Sequence, residues 1–129
     1  MKVNELMIGD WVLPNICNTY NEPSKIVGIQ YNSYRGNNYV DWVDCEVCDE
    51  LDLDDIKPIL LTSEILEKNG FINKDNEWVH YCDFPFIDFT LNKDSSGFYI
   101  NYVPNGYINY VHELQHAFKL FKVNGEIII

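Results

Sequence analysis

His112-Glu113-Leu114-Gln115-His116 sets two imidazoles four residues apart, with a carboxylate beside the first. On a helix, residues four apart share a face, so His112 and His116 could grip one zinc ion while Glu113 deprotonated its water. Catalytic zinc usually takes three protein ligands and keeps one open position. The 13 residues after His116 contain no His, Asp or Cys, and positions 119 and 122 are both Lys. Glu126 is the only carboxylate downstream, beyond Gly125. A third ligand would therefore come from upstream, with His80, Cys82 or Asp83 as candidates.

The element that must carry this motif is a helix from about Tyr110 to Lys122. At about 100° per residue, Val111, Leu114, Phe118 and Phe121 form one apolar stripe, widened by Tyr110 and Ala117. His112, His116 and Lys119 fall on the opposite side. The preferred reading is a packed helix that turns a polar His/Lys face to solvent or to a partner. It assigns no catalytic residue and no metal. The alternative is a zinc-dependent hydrolase with Glu113 as base and His112 and His116 as ligands.

The elements before this helix divide into two groups. Runs at 6–13, 25–29, 39–43 (with a possible extension over 45–47) and 51–56 read as short strands separated by Asn-, Gly- and Pro-rich loops. They suggest an N-terminal SH3-like small β-barrel over residues 1–60. Thr62 is a natural N-cap, and Asn69-Gly70 a natural stop followed by Phe71, which defines a helix over about 62–69. Strands follow over about 77–109, and Glu126-Ile127-Ile128-Ile129 reads as a closing strand. The fold class expected is α+β: the barrel, then a small antiparallel sheet packed by two helices over 61–129. The seam lies near Pro58 to Thr62.

Composition narrows the function. The chain has 129 residues and a net charge of −11, from 20 acidic residues against nine Lys and Arg. That charge repels phosphate backbones, so nucleic acid is not an expected partner. No apolar run approaches a membrane span, and no signal-peptide core opens the chain, which points to the cytoplasm and to reduced thiols. Cys45 and Cys48 form one Cys-x-x-Cys pair, while Cys17 and Cys82 stand alone. A structural zinc site normally needs a second close pair, so free thiols are expected and no cofactor is assigned.

Two further groups stand out. Asp41, Asp44, Glu46, Asp49, Glu50, Asp52, Asp54 and Asp55 fall within one stretch that holds no basic residue and no EF-hand pattern. It reads as a solvated edge that discourages strand-to-strand aggregation. A surface for a basic protein, or an acidic DNA-mimic inhibitor with these carboxylates along one ridge, is the alternative use. Tyr99, Tyr102 and Tyr107, interleaved with Asn101 and Asn109 and followed by His112 and His116, form the candidate site for a ligand or partner. Such aromatic and amide groups stack and hydrogen-bond a small molecule or anchor a protein interface.

Three blocks carry a resemblance. Met1-Lys2-Val3-Asn4-Glu5-Leu6-x-Ile8-Gly9-Asp10-Trp11-Val12 is the first. Pro58-Ile59-x-Leu61-Thr62-x-Glu64-Ile65-Leu66-x-Lys68-Asn69-Gly70-Phe71 is the second, and Tyr110-Val111-His112-Glu113-Leu114-Gln115-His116 the third. Together they resemble an uncharacterised family of short proteins from gut-type bacteria, their mobile elements and their phages. Members of that family commonly lack the Glu and the second His in the last block. The resemblance implies a non-catalytic binding protein in the host cytoplasm, with counter-defence as its role. It would act by occupying a host protein or sequestering a small signalling ligand, and a homo-oligomer sharing an aromatic site fits this picture.

Overall fold

The computed structural model describes residues 2–19, 22–35, 38–81, 88–101, 103, 106–121, 123 and 125–129. Among the described residues the fold is α+β and mostly β, with two antiparallel five-stranded sheets and two helices. It divides into two compact units, Met1–Ile59 and Leu60–Ile129.

In the first unit a 3₁₀ turn at Val3–Glu5 precedes β1 (Trp11–Pro14), β2 (Ser24–Arg35), β3 (Asn38–Cys45) and β4 (Cys48–Asp52). A second 3₁₀ turn at Leu53–Asp55 then leads into β5 (Ile56–Pro58). The order across the sheet is β4-β3-β2-β1-β5. The last strand thus returns beside the first, and β4 and β5 stand at the two ends. No ladder joins these two end strands among the described residues. Leu6, Val12, Ile26, Val43, Cys45, Leu51 and Ile56 form the core, with Ile29, Cys48 and Leu53 packed against it.

Two aspartates of β3 explain part of the acidic stretch. The β2–β3 ladder shifts register between Gln30 and Ser33, and the β3–β4 ladder shifts between Val43 and Cys45. A bulge leaves a backbone N–H without its ladder acceptor. Asp41 Oδ1 accepts from the Asn32 N–H at 2.7 Å, and Asp44 Oδ1 accepts from the Glu50 N–H at 2.8 Å. Asn32 and Glu50 both have positive φ, as bulged residues often do. The first block of the resemblance is local scaffolding of the same kind. Asp10 is fully buried, and its Oδ2 accepts from the Met7 N–H at 2.7 Å to close the turn before β1. This turn occupies Ile8 and Gly9, so the strand expected from residue 6 starts only at Trp11.

The second unit opens with α1 (Ser63–Lys68). Thr62 Oγ1 accepts from the Ile65 N–H at 3.3 Å, which is the expected N-cap. Gly70 holds φ +86°, and the Phe71 N–H reaches back to the Leu66 carbonyl at 3.0 Å, ending the helix. The strands β6 (Ile72–Lys74), β7 (Glu77–His80), β8 (Phe89–Asp94), β9 (Gly97–Tyr99) and β10 (Tyr107–Ile108) follow, ordered β10-β9-β8-β7-β6. The helix α2 (Val111–Leu120) packs Phe118 against Phe71, His80 and Phe89, at ring separations of 6.0, 5.3 and 5.3 Å.

Three expectations are corrected here. Residues 126–129 form no strand: the Asn69 side chain instead holds Ile128, donating to its carbonyl and accepting from its N–H, both at 2.7 Å. One side-chain amide thus takes the place of a ladder. Phe121, just beyond the end of α2, is about half exposed, so the stripe reaches it only in part: its ring still meets Phe89 at 5.9 Å. β6 was not expected; its two-residue turn, Asp75-Asn76, holds both residues at positive φ, which these residue types tolerate. No helix among the described residues is long and apolar enough to cross a membrane.

Candidate functional site

α2 carries the His-Glu-x-x-His motif, and Glu113 is where its chemistry is decided. Glu113 Oε1 accepts the Asn109 N–H at 3.1 Å and the Tyr110 N–H at 3.0 Å. Tyr110 is the N-cap, so Glu113 is the third helical residue reaching back over the open first turn. That is the carboxylate half of a capping box, favoured further by the positive end of the helix dipole. The arrangement accounts for a Glu at this position through folding alone.

The histidines are also placed differently from the helical-wheel expectation. His112 is only 5% exposed, so it does not lie on an open polar face. The cause is local: the Tyr110 ring stacks on it nearly in parallel, 8° apart with centroids at 5.9 Å, and the His116 ring meets it edge-on at 5.7 Å. His80 packs against Phe71 and Phe118. Among the described residues, no group of three or more His, Cys, Asp or Glu side chains is arranged to hold a metal ion. Cys82 and Asp83, the other upstream candidates, lie outside the described residues.

His80 has a displaced titration. Burial against these aromatic rings pushes its pKa below the ordinary histidine value, while its own backbone hydrogen bond and the Asp88 carboxylate oppose the shift.

The tyrosines assemble on the sheet of the second unit. Antiparallel partners directly opposite one another share a face. The pairings Lys74↔Glu77, Glu77↔Asn92, Asn92↔Tyr99 and Tyr99↔Tyr107 therefore make one row across all five strands. At its end the Tyr99 and Tyr107 rings lie 5.7 Å apart, and Tyr107 is 41% exposed. The neighbouring residues Phe98 and Ile108, which alternate to the other face, are buried. Tyr107 is fixed in place: its hydroxyl donates to Asp94 Oδ2 at 2.7 Å. This bond, with the Ser96 N–H on the same carboxylate, lowers the Asp94 pKa, and it raises that of Tyr107.

Asn109 does a different job. Its Oδ1 lies over Gly97, whose φ of +128° and lack of a side chain both make room for it. Its carbonyl accepts the Leu61 N–H at 2.8 Å, and its own N–H goes to Glu113. Asn109 is thus a scaffold residue joining β9, the segment before α1 and the start of α2. Asn101 is exposed, and Tyr102 lies outside the described residues. The structure brings Tyr99 to Tyr107, Tyr110 to His112, and His112 to His116.

A second aromatic group lies in the first unit, where sequence reading placed none. Tyr31, Tyr34 and Tyr39 are 71, 63 and 68% exposed, and Tyr34 meets Tyr39 edge-on across the β2–β3 ladder at 5.3 Å. Their signal was the length of the β2 run, read as five residues but extending over 12. In the acidic stretch, Glu46, Asp49, Glu50, Asp52 and Asp54 are exposed around β4, whereas Asp41, Asp44 and Asp55 are partly buried.

No protein-family model, curated protein or solved structure matches the chain.

Proposed function

We propose that this chain is a non-catalytic binding protein that covers a surface of a host protein, with Tyr99 and Tyr107 as anchors. The observation that carries the reading is the Tyr99–Tyr107 pair: accessible, on an open sheet face, and held by the Asp94 hydrogen bond. Aromatic rings already fixed in place lose little freedom on binding, which is what makes Tyr effective at interfaces. The open row it terminates suits a protein surface better than an enclosed small ligand. The capping role of Glu113 supports a non-catalytic reading, since it accounts for the motif without a reaction.

The three sequence blocks resemble an uncharacterised family of short proteins from gut-type bacteria, their mobile elements and phages, and that resemblance supports the reading. Counter-defence in the host cytoplasm is the corresponding role. An SH3-like identity for the first unit belongs to the same proposal. It draws support from β5 returning beside β1 after a 3₁₀ turn.

The test is capture from a gut-bacterial lysate on immobilised protein, compared with a Tyr99→Ser/Tyr107→Ser variant. A discrete host protein retained by the first and lost from the second is expected. Equal retention by both would sink the assignment to this face. Native mass spectrometry and elemental analysis of the purified chain separate the rivals. A bound small molecule would favour sequestration, and one zinc per chain, lost in His116→Ala, would favour the hydrolase.

A further inference from the structure

Cys45 and Cys48 take no part in the binding face, yet the backbone sets them directly opposite each other. They pair in register at the end of the β3–β4 hairpin, across the two-residue turn Glu46-Val47. The Glu46 N–H donates to the Lys25 carbonyl at 3.0 Å, which ties this turn to β2. Opposed residues of an antiparallel pair share a face and hold their Cα atoms about 4.5–5.5 Å apart. A disulfide spans Cα separations of about 4.4–6.8 Å. Both residues are free thiols, Cys45 within the core and Cys48 packed against it while partly open to solvent.

From this geometry we infer that Cys45 and Cys48 form an oxidisable dithiol site, whose co-reactant is a low-molecular-weight disulfide of the glutathione type. The partly exposed Cys48 reacts first. Its thiolate attacks one sulfur of glutathione disulfide, forming a Cys48–glutathione bond and expelling one glutathione thiolate. Cys45 then attacks the Cys48 sulfur, forming the Cys45–Cys48 bond and releasing the second glutathione. The two protein thiols lose two electrons and two protons, and one glutathione disulfide becomes two glutathiones.

The two steps differ in speed. Burial first, then the neighbouring Cys48, Asp44 and Glu46, push the Cys45 thiol up to about 11. At neutral pH little of it is thiolate, so ring closure is the slow step. This is the opposite of a Cys-x-x-Cys pair at a helix N-terminus, where the dipole favours the thiolate. The ring spans only the hairpin turn, where the chain-entropy gain from a cross-link is smallest, so the bond is expected to reopen with a dithiol reductant. While closed, it pins the edge strand that presents Asp49, Glu50 and Asp52.

The test is incubation of the full chain with glutathione disulfide, followed by intact mass and cleavage after Glu46 with a glutamyl endopeptidase. Loss of two hydrogens is expected, with the peptides on either side of Glu46 held together until dithiothreitol is added. A Cys45→Ala variant, which keeps Cys48, should stop with a glutathione on Cys48, read on the peptide after Glu46 and so apart from any on the exposed Cys17. The inference is overturned if the wild-type chain also stops with glutathione on Cys48. It is equally overturned if the bond forms to Cys17, Cys82 or a second chain, or if nothing reacts.

Discussion

The two five-stranded sheets bury their apolar faces by different means. The first encloses an aliphatic core of Leu6, Val12, Ile26, Val43, Leu51 and Ile56, with Cys45 among them. Its own strands supply all of these residues except Leu6, which directly follows the first 3₁₀ turn. The second borrows helices: Phe118 of α2 meets Phe71, Phe89 and His80 in an aromatic cluster. The contrast extends to the surface. In the first unit Tyr31, Tyr34 and Tyr39 lie exposed along the long β2–β3 hairpin, whereas in the second the Tyr99–Tyr107 pair ends a row across the sheet. A core made by a helix docking on a sheet concentrates its energy in a few large contacts. A core enclosed by strands spreads it over many small ones.

Truncating each core is the most direct way to break that comparison. Phe118→Ala removes a ring that touches three others and should cost about 3–5 kcal/mol. Leu51→Ala in the first unit should cost about 2–5 kcal/mol, nearer the lower figure if neighbouring aliphatic chains relax into the space. Hydrogen exchange resolved along the chain would report each unit separately. A Phe118→Ala loss smaller than that of Leu51→Ala would show that the aromatic cluster is not the concentrated core it resembles.

The next effect is the helix start. Glu113→Ala strips two N–H groups of their acceptor and should cost about 1 kcal/mol, in the range of lost caps. Glu113→Gln keeps an oxygen at the same place and should recover most of that loss. Thermal unfolding of the two variants decides it. Equal destabilisation by Gln and Ala would mean that the charge, not the hydrogen bonds, matters most.

These elements show what was legible beforehand. The Thr62 cap, the Asn69-Gly70 stop and the two-sheet division rest on local chemistry, and local chemistry is written in neighbouring residues. The closing strand was misread because Ile127, Ile128 and Ile129 have strand composition, while their partner is a side chain 59 residues away. His112 looked exposed because a helical wheel sets Tyr110 on the apolar flank, whereas its ring stacks on His112. The Asp75-Asn76 turn was legible and overlooked. In the candidate site, the Tyr99–Tyr107 pairing depends on strand register, which the Asn- and Gly-rich turns around 92–106 do not specify by themselves.

His80 sharpens the comparison through pH, since it belongs to the aromatic cluster and the first unit contains no histidine. Its folded pKa lies below the unfolded value of about 6.5, mainly through burial. The unfolded chain therefore binds the proton first as pH falls. Stability contributed by the neutral ring is present above the unfolded pKa and is lost as pH falls through the folded pKa. Unfolding of the second unit should thus become easier below about pH 6.5, and His80→Gln should flatten that slope. An unchanged slope in the variant would assign the effect to other groups.

The smallest expected effect lies at the surface and concerns positioning, not stability. Asp94 accepts from the Tyr107 hydroxyl and, on its other oxygen, from the Ser96 N–H at 2.7 Å. The tyrosine contact is the larger cause of its lowered pKa. Tyr107→Phe removes that contact but leaves the turn bond, so the Asp94 carboxyl should titrate closer to the usual carboxylate range without fully reaching it. Side-chain NMR titration measures this directly. Because the pair is solvated, the melting temperature should barely move. The ring itself, still opposite Tyr99, loses its tether and should sample more rotamers. If the Phe variant binds its host partner as tightly as the wild type, ring area alone makes the anchor. If binding weakens with stability unchanged, the hydrogen bond contributes by holding Tyr107 ready.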